Sequence, residues 1–148
     1  PTPANGRAVL YVGYNASADL TVSNLDISGA VDASDNGAGI LFETGNGALV
    51  VSNSWIHGNQ DGILTGTTGA ITITNSEIDH NGVAPGNAMY GRDHNIYVGD
   101  AASLTITGSY IHDALGGHEI KSRAAVTTIT GNRVQDGSAA ASYSIVFR

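Results

Sequence analysis

The ionisable side chains of this 148-residue chain gather late. Arg92, Asp93, His94, Tyr97 and Asp100 fall in one stretch, and His118, Glu119, Lys121 and Arg123 in a second. Five of the six basic residues, Arg92, Lys121, Arg123, Arg133 and Arg148, lie in the last two-fifths of the chain. Such a set has the acid–base range for β-elimination from a uronic acid. That reaction needs a cation to neutralise the sugar carboxylate, a base for the C5 proton and an acid for the leaving oxygen. Lys121 and Arg123 are the candidates for base and neutraliser, and Tyr97 or His94 for the acid. Asn95, His118, Glu119, Arg92 and Arg148 are the candidate substrate contacts.

Two further polar rows have spacing that bears on chemistry. Asp61, His94 and His118 each stand two residues before an isoleucine, and an aspartate beside a histidine orients the imidazole and raises its pKa. The same residue types also cap turns. His57, Asp79 and His112 follow a core isoleucine by one residue, and His80, Asp113 and Asp136 follow the same column by two. Histidine and aspartate ligate zinc or copper. His57 and His112 nevertheless belong to repeats two apart, too far to share an ion. Turn capping is the role expected here, and no metal site is.

Composition removes several classes. With 6 Lys+Arg against 13 Asp+Glu the formal net charge is −7, which disfavours a grip on nucleic-acid phosphates. Cysteine is absent, so disulfides and Cys-rich metal sites are excluded. No apolar run approaches the length of a membrane-spanning helix. A hydrophobic content of 41% is enough to build a core. Nucleotide loops, nucleophile elbows and zinc-protease motifs are missing. The opening Pro1-Thr2-Pro3-Ala4 reads as the start of a mature or excised segment.

The elements that must position these residues come from an internal repeat. Leu20 to Ile27 (LTVSNLDI), Leu49 to Ile56 (LVVSNSWI), Ile71 to Ile78 (ITITNSEI), Leu104 to Ile111 (LTITGSYI) and Thr127 to Val134 (TTITGNRV) share one pattern. Their starts are 29, 22, 33 and 23 residues apart. The unit is therefore about 22 residues, with insertions at 30–36 and 81–92. A shorter strand precedes each later pattern, at Ile40, Ile63, Ile96 and Ile120, and a last one at Ile145. Alternation at period 2 broken by glycine excludes amphipathic helices. Each unit reads as strand, turn, strand, turn, and stacking buries columns such as Ile27/Ile56/Ile78/Ile111/Val134. Asn24, Asn53, Asn75, Gly108 and Gly131 share one place, where a left-handed turn residue and a ladder of stacked amides are expected.

Register decides which polar residues are offered to solvent. Without a gap in the last repeat, Glu119 and Lys121 would fall into inward columns, a heavy penalty for unpaired charges. Shifting by one residue places Ile120 beside Ile96. An outward stripe of Asn95, Tyr97, Glu119 and Lys121, flanked by Arg123, is then expected.

These repeats, and the run from Asn59-Gln-Asp-Gly-Ile-Leu64 through Ile78 in particular, resemble the right-handed parallel β-helix superfamily, in its pectate-lyase-like carbohydrate-binding and sugar-hydrolase group. The resemblance implies an all-β fold, a right-handed parallel β-helix (single-stranded solenoid) of about five coils in a single domain over residues 1–148. The stretch Glu119-Ile-Lys-Ser-Arg123, followed by Ile129-Thr-Gly-Asn132, is similar to the catalytic coil of chondroitinase-B-type and alginate lyases, whose base is the Lys of a Lys-Ser pair. An arginine one coil further on completes that family's site, and Arg148 stands nearest. The family's calcium ligands, five and seven residues before the lysine, are here Gly116 and Ala114, so no cofactor is expected. Arg92-Asp-His-Asn95 echoes the Asp-Pro-His-Asp motif of alginate C5-epimerases.

Three functions are compatible with this reading. One is a carbohydrate-active β-helix, a lyase or epimerase acting on acidic (uronate) polysaccharide. Another is a non-catalytic glycan-binding or cell-surface module, and the third is a self-associating structural solenoid. The expected partner is a polysaccharide, with no nucleic acid and no membrane span. End-to-end association or contact with neighbouring segments of a longer chain is expected as well. A secreted, periplasmic or cell-surface location goes with the resemblance.

Overall fold

Two left-handed backbone positions in each of the first four repeats, and one in the fifth, bend the chain into a three-sided coil. Asn24, Asn53, Asn75, Gly108 and Gly131 have φ between 48° and 65° and break the shared eight-residue pattern in the middle. Asparagine and glycine suit that bend because they tolerate the left-handed region better than other residues. Gly29, Gly58, His80 and Asp113, with φ from 50° to 82°, make the second bend two residues past the core isoleucine. The expected two-strand unit is therefore a three-strand unit.

The computed structural model describes residues 7–14, 17–137 and 143–148, and β1 (Ala8–Val12) leads into five such coils. The first coil holds β2 (Leu20–Ser23), β3 (Asp26–Ser28) and β4 (Ala38–Phe42), and the second β5 (Leu49–Ser52), β6 (Trp55–His57) and β7 (Asp61–Thr65). The third holds β8 (Ala70–Thr74), β9 (Glu77–Asp79) and β10 (Ile96–Val98), and the fourth β11 (Ser103–Thr107), β12 (Tyr110–His112) and β13 (His118–Ser122). The fifth holds β14 (Val126–Thr130), β15 (Arg133–Gln135) and β16 (Tyr143–Phe147). Three parallel sheets result, in the orders β1-β4-β7-β10-β13-β16, β2-β5-β8-β11-β14 and β3-β6-β9-β12-β15. The architecture is a parallel β-helix.

Each strand sends alternate residues inward, and stacking aligns them. Ile40, Ile63, Ile96 and Ile120 form one fully buried column, Val51, Ile73 and Ile106 a second, and Ile56, Ile78 and Ile111 a third. Burying one such side chain contributes about 1.5–3 kcal/mol. Ile96 pairs with Ile120 and Tyr97 with Lys121, the register expected from the one-residue shift.

The bonded amide ladder runs elsewhere than expected. Asn24, Asn53 and Asn75 are exposed turn residues. The ladder is buried at the corner between the third and first sheets. The Ala30 N–H donates to Asn59 Oδ1 at 2.9 Å, the Asn59 Nδ2–H to Asn81 Oδ1 at 2.9 Å, and the Asn81 Nδ2–H to Asn95 Oδ1 at 2.8 Å. Glu119 closes it by accepting from Asn95 Nδ2 at 2.5 Å and from the Ala114 N–H at 3.0 Å. A parallel serine ladder links Ser54, Ser76 and Ser109 through N–H to Oγ bonds of 3.2 Å.

Gly62 makes room for the amides. A Cβ there would lie 2.3 Å from Asn95 O and 2.7 Å from Asn81 Nδ2. Gly62→Ala is therefore expected to destabilise the fold by about 1–3 kcal/mol. Asn81→Ala, which strands the Asn59 donors and the Ile56 carbonyl, should cost about 2–4 kcal/mol. Urea unfolding followed by far-ultraviolet circular dichroism measures both, and an unchanged midpoint in Asn81→Ala would refute the ladder's role.

Candidate functional site

The outward face of the first sheet carries the residues that the sequence singled out. Leu64, Tyr97, Lys121 and Val146 occupy one outward column through consecutive strand pairs. Lys121 Nζ lies 4.6 Å from the centre of the Tyr97 ring, and the Arg123 guanidinium 5.5 Å from it. The Arg148 N–H donates to Ser122 O at 3.0 Å, which seats Arg148 one rung beyond Arg123.

His94 bears on the state of the lysine. Its ring stacks on His118, with centres 4.8 Å apart and planes at 5°, and its Nδ1 accepts the His118 backbone N–H at 3.0 Å. A neutral imidazole whose Nδ1 is an acceptor carries its proton on Nε2. That Nε2 lies 3.3 Å from Lys121 Nζ, a contact the amine can accept only in its neutral form, so the imidazole disfavours the charge on the lysine. Burial, and after it the charges of Lys121, His118 and Arg148, lower His94 to about 3. Burial also lowers Lys121 from its ordinary 10.5, and Arg123 and Arg148 add to that while Asp61 opposes it.

Asp61 does not orient an imidazole as expected. Its Oδ1 accepts the His94 backbone N–H at 2.8 Å, and the His94 ring is lowered rather than raised. Burial pushes Asp61 itself up to about 8, with the Asp93 charge adding and Lys121 opposing. Asp93 is buried beside it, pushed up to about 7 by burial and by Asp35. Two buried atoms here, Asp93 Oδ2 and His118 Nδ1, have no protein partner. Burial lowers His118 as well.

Two residues leave the expected stripe. Asn95 and Glu119 are fully buried because the chain is still turning the corner where they stand, so their side chains point into it and complete the ladder. Glu119 is pushed up to about 7, chiefly by burial. Arg92 is exposed at the end of the insertion, with Nη1 4.0 Å from the Met89 sulfur. That insertion packs on the corner: Asn87 Nδ2 donates to Asp35 Oδ1 at 3.3 Å, and the Tyr90 ring covers Gly116. A cavity of about 380 Å³ lies beneath it, lined in part by Val31, Gln60, His80, Val83, Pro85 and Leu115. The insertion does not stand between Tyr97, Lys121 and Arg123.

A second polar surface covers the third sheet. The rings of Trp55 and His57 stack 3.7 Å apart, and those of Tyr110 and His112 3.8 Å apart. Between these stacks stand Glu77 and Asp79. Trp55 Nε1 donates to Asp79 Oδ1 at 2.5 Å, and His80 pairs with the other Asp79 oxygen. His112 meets Asp113 through Nδ1 at 2.7 Å and Glu77 through Nε2 at 3.1 Å. Burial works to lower the His112 imidazole, but its bonds to Asp113 and Glu77 outweigh this and raise it. One donor atom from each of Glu77, Asp79 and His112 lies within 4.8 Å of the others. The sequence reading passed over Glu77, although it flanks Ile78 on the same face as Asp79, a period-2 signal.

The fold and its surfaces thus define a parallel β-helix with a basic, tyrosine-bearing outer strip. No family model, curated protein or solved structure matches this chain.

The buried carboxyl of Asp61 gives a pH dependence with a definite sign. Its folded pKa is raised, so the folded state holds the proton more tightly. The stabilisation is complete below about 3.8, the ordinary value, and is lost as pH rises to about 8. Asp61→Asn keeps an oxygen for the His94 N–H and cannot titrate. Between neutral pH and pH about 8 the wild type's urea midpoint should fall more steeply than the variant's; equal slopes would overturn this assignment.

Proposed function

We propose that this β-helix cleaves an acidic (uronate) polysaccharide by β-elimination on the outward face of its first sheet. One observation carries the proposal: His94 Nε2, the protonated nitrogen when Nδ1 accepts the His118 N–H, stands 3.3 Å from Lys121 Nζ, a contact that favours the uncharged amine a base requires. Lys121 takes the C5 proton, and the electron pair released forms the C4–C5 double bond. The C4–O bond breaks, and the departing oxygen takes the proton of the Tyr97 hydroxyl. Arg123 and Arg148 neutralise the uronate carboxylate, which lowers the cost of the carbanion-like transition state. The proton on Lys121 then returns to the Tyr97 phenolate, above whose ring the amine stands. The chain is acidic overall, but this strip gathers three of its six cations, so a polyanion is drawn to this face.

A second reading, glycan binding without cleavage, is favoured by the exposed ring of Trp55 on the third sheet, a surface on which a sugar ring stacks.

Incubation with alginate, pectate and glycosaminoglycans, followed by the ultraviolet absorbance of the unsaturated product, separates the two. Lys121→Ala is expected to reduce the rate by about 10²–10⁴-fold. Lys121→Arg should be equally poor, because a guanidinium does not give up its proton. In the wild type, kcat/KM should rise with pH to a plateau whose apparent pKa lies below the lysine value of 10.5. Absence of unsaturated product from every polymer, or full activity in Lys121→Ala, would refute the elimination.

A further inference from the structure

We propose that Glu77, Asp79 and His112, on the outward face of the third sheet, form a binding site for a divalent first-row transition metal of the zinc class. This site is independent of the proposed elimination on the first sheet.

The register builds it. Asp79 pairs with His112 and Glu77 with Tyr110 across β9 and β12, so three donors from two adjacent rungs converge on one spot. Zinc holds imidazole nitrogen and carboxylate oxygen at about 2.0–2.2 Å, which places donors within about 4 Å of one another. The donors here lie within 4.8 Å. The half-exposed Glu77 side chain has the freedom to close the difference.

His112 is the ligand whose orientation is most closely fixed. Its side chain is only 9% exposed, and its Nδ1 is held by the Asp113 carboxylate at 2.7 Å. A carboxylate only accepts, so Nδ1 carries a proton and Nε2 is the atom of the ring that can ligate. Nε2 is hydrogen-bonded to Glu77 Oε1 at 3.1 Å, and a cation that takes the place of the proton between them is held by both atoms. The arrangement of carboxylate, histidine and metal is the one in which an outer carboxylate fixes the tautomer of the ligating ring. Asp79 is oriented in the same way, by Trp55 Nε1 and by His80, and its oxygens keep lone pairs for a metal. One imidazole and two carboxylates suit zinc, nickel or copper; calcium and magnesium favour oxygen donors alone. The competing occupant is a second proton on His112, which would satisfy Glu77 without any metal.

The chain contains a single tryptophan, and it donates to the Asp79 ligand. Its fluorescence therefore reports on this site. Titration of the metal-stripped protein with Cu²⁺ or Co²⁺ is expected to quench Trp55 with saturation at one equivalent. Zn²⁺ should displace Co²⁺, and Ca²⁺ and Mg²⁺ should not. His112→Gln should weaken binding at least about 100-fold, and Asp113→Asn, which keeps all three ligands, about 10–100-fold. His57→Gln, which removes the stack on Trp55 and the pair with Asp26 but none of the three ligands, should leave affinity within about threefold. Far-ultraviolet circular dichroism checks that each variant folds, and Asp113→Asn decides the question if His112→Gln does not. The site is refuted by the absence of saturable quenching, by unchanged affinity in Asp113→Asn, by competition from Ca²⁺ equal to that of Zn²⁺, or by loss of binding in His57→Gln.

Discussion

A buried carboxylate that must find its partners sets the geometry of the late coils. Glu119 accepts from Asn95 Nδ2 and from the Ala114 N–H, and it is fully enclosed. The polarity of the ladder leaves no other solution. Asn95 Oδ1 already accepts from the Asn81 backbone and amide, and a second Nδ2 bond goes to the His112 carbonyl. Position 119 must therefore offer two acceptor oxygens, which a glutamate has and a glutamine does not. Orphaning a buried donor costs about 1–3 kcal/mol. Slipping β13 by one residue against β10 would both orphan these donors and turn every side chain of the strand over. The ladder thus determines that Lys121 faces outward beside Tyr97.

The same corner explains the electrostatics of the site. Where the ladder ends and the first sheet begins, Asp61, His94 and His118 stack in one column, almost without water. Charge there is expensive, so the carboxyl is raised and the two imidazoles are lowered. Neutral imidazoles have fixed donor and acceptor ends. The His118 backbone takes the acceptor end of His94, and only the donor end remains for Lys121. Burial of the imidazole at the corner therefore disfavours the charge on the amine beside it. On the third sheet the order of causes differs. There Asp113, Glu77 and Asp79 surround His112, and hydrogen bonds override desolvation.

The repeat made most of the fold legible, because inward columns and left-handed asparagines leave a period that any register must respect. The shift that pairs Ile96 with Ile120 was readable from the cost of burying Lys121. Three features were not. The eight-residue pattern looked like one strand because the bend at Asn24 and its equivalents keeps the alternation of apolar positions on both sides. Asn95 and Glu119 looked exposed because alternation was extended through a corner, where the chain rotates and the rule of period 2 fails. The amide ladder was placed at Asn24, Asn53 and Asn75, whose spacing is regular. The real one draws Asn59 and Asn81 from a turn but Asn95 and Glu119 from the start of a strand, a change of source that no periodicity records.

That change of source follows one column through the coils. In the first two coils the position before the inward isoleucine is glycine, at Gly39 and Gly62, and a Cβ at either would collide with the amide of Asn59 or Asn81 from the turn. In the third and fourth coils the same column carries Asn95 and Glu119, whose own side chains fill the corner. Turn length does not make the choice, because the first coil has its own insertion at 30–36 and keeps Gly39. What the polar residues add is continuity: Asn95 accepts from Asn81 and donates to Glu119, so the chain of bonds that begins in the turns ends on the strand that carries Lys121.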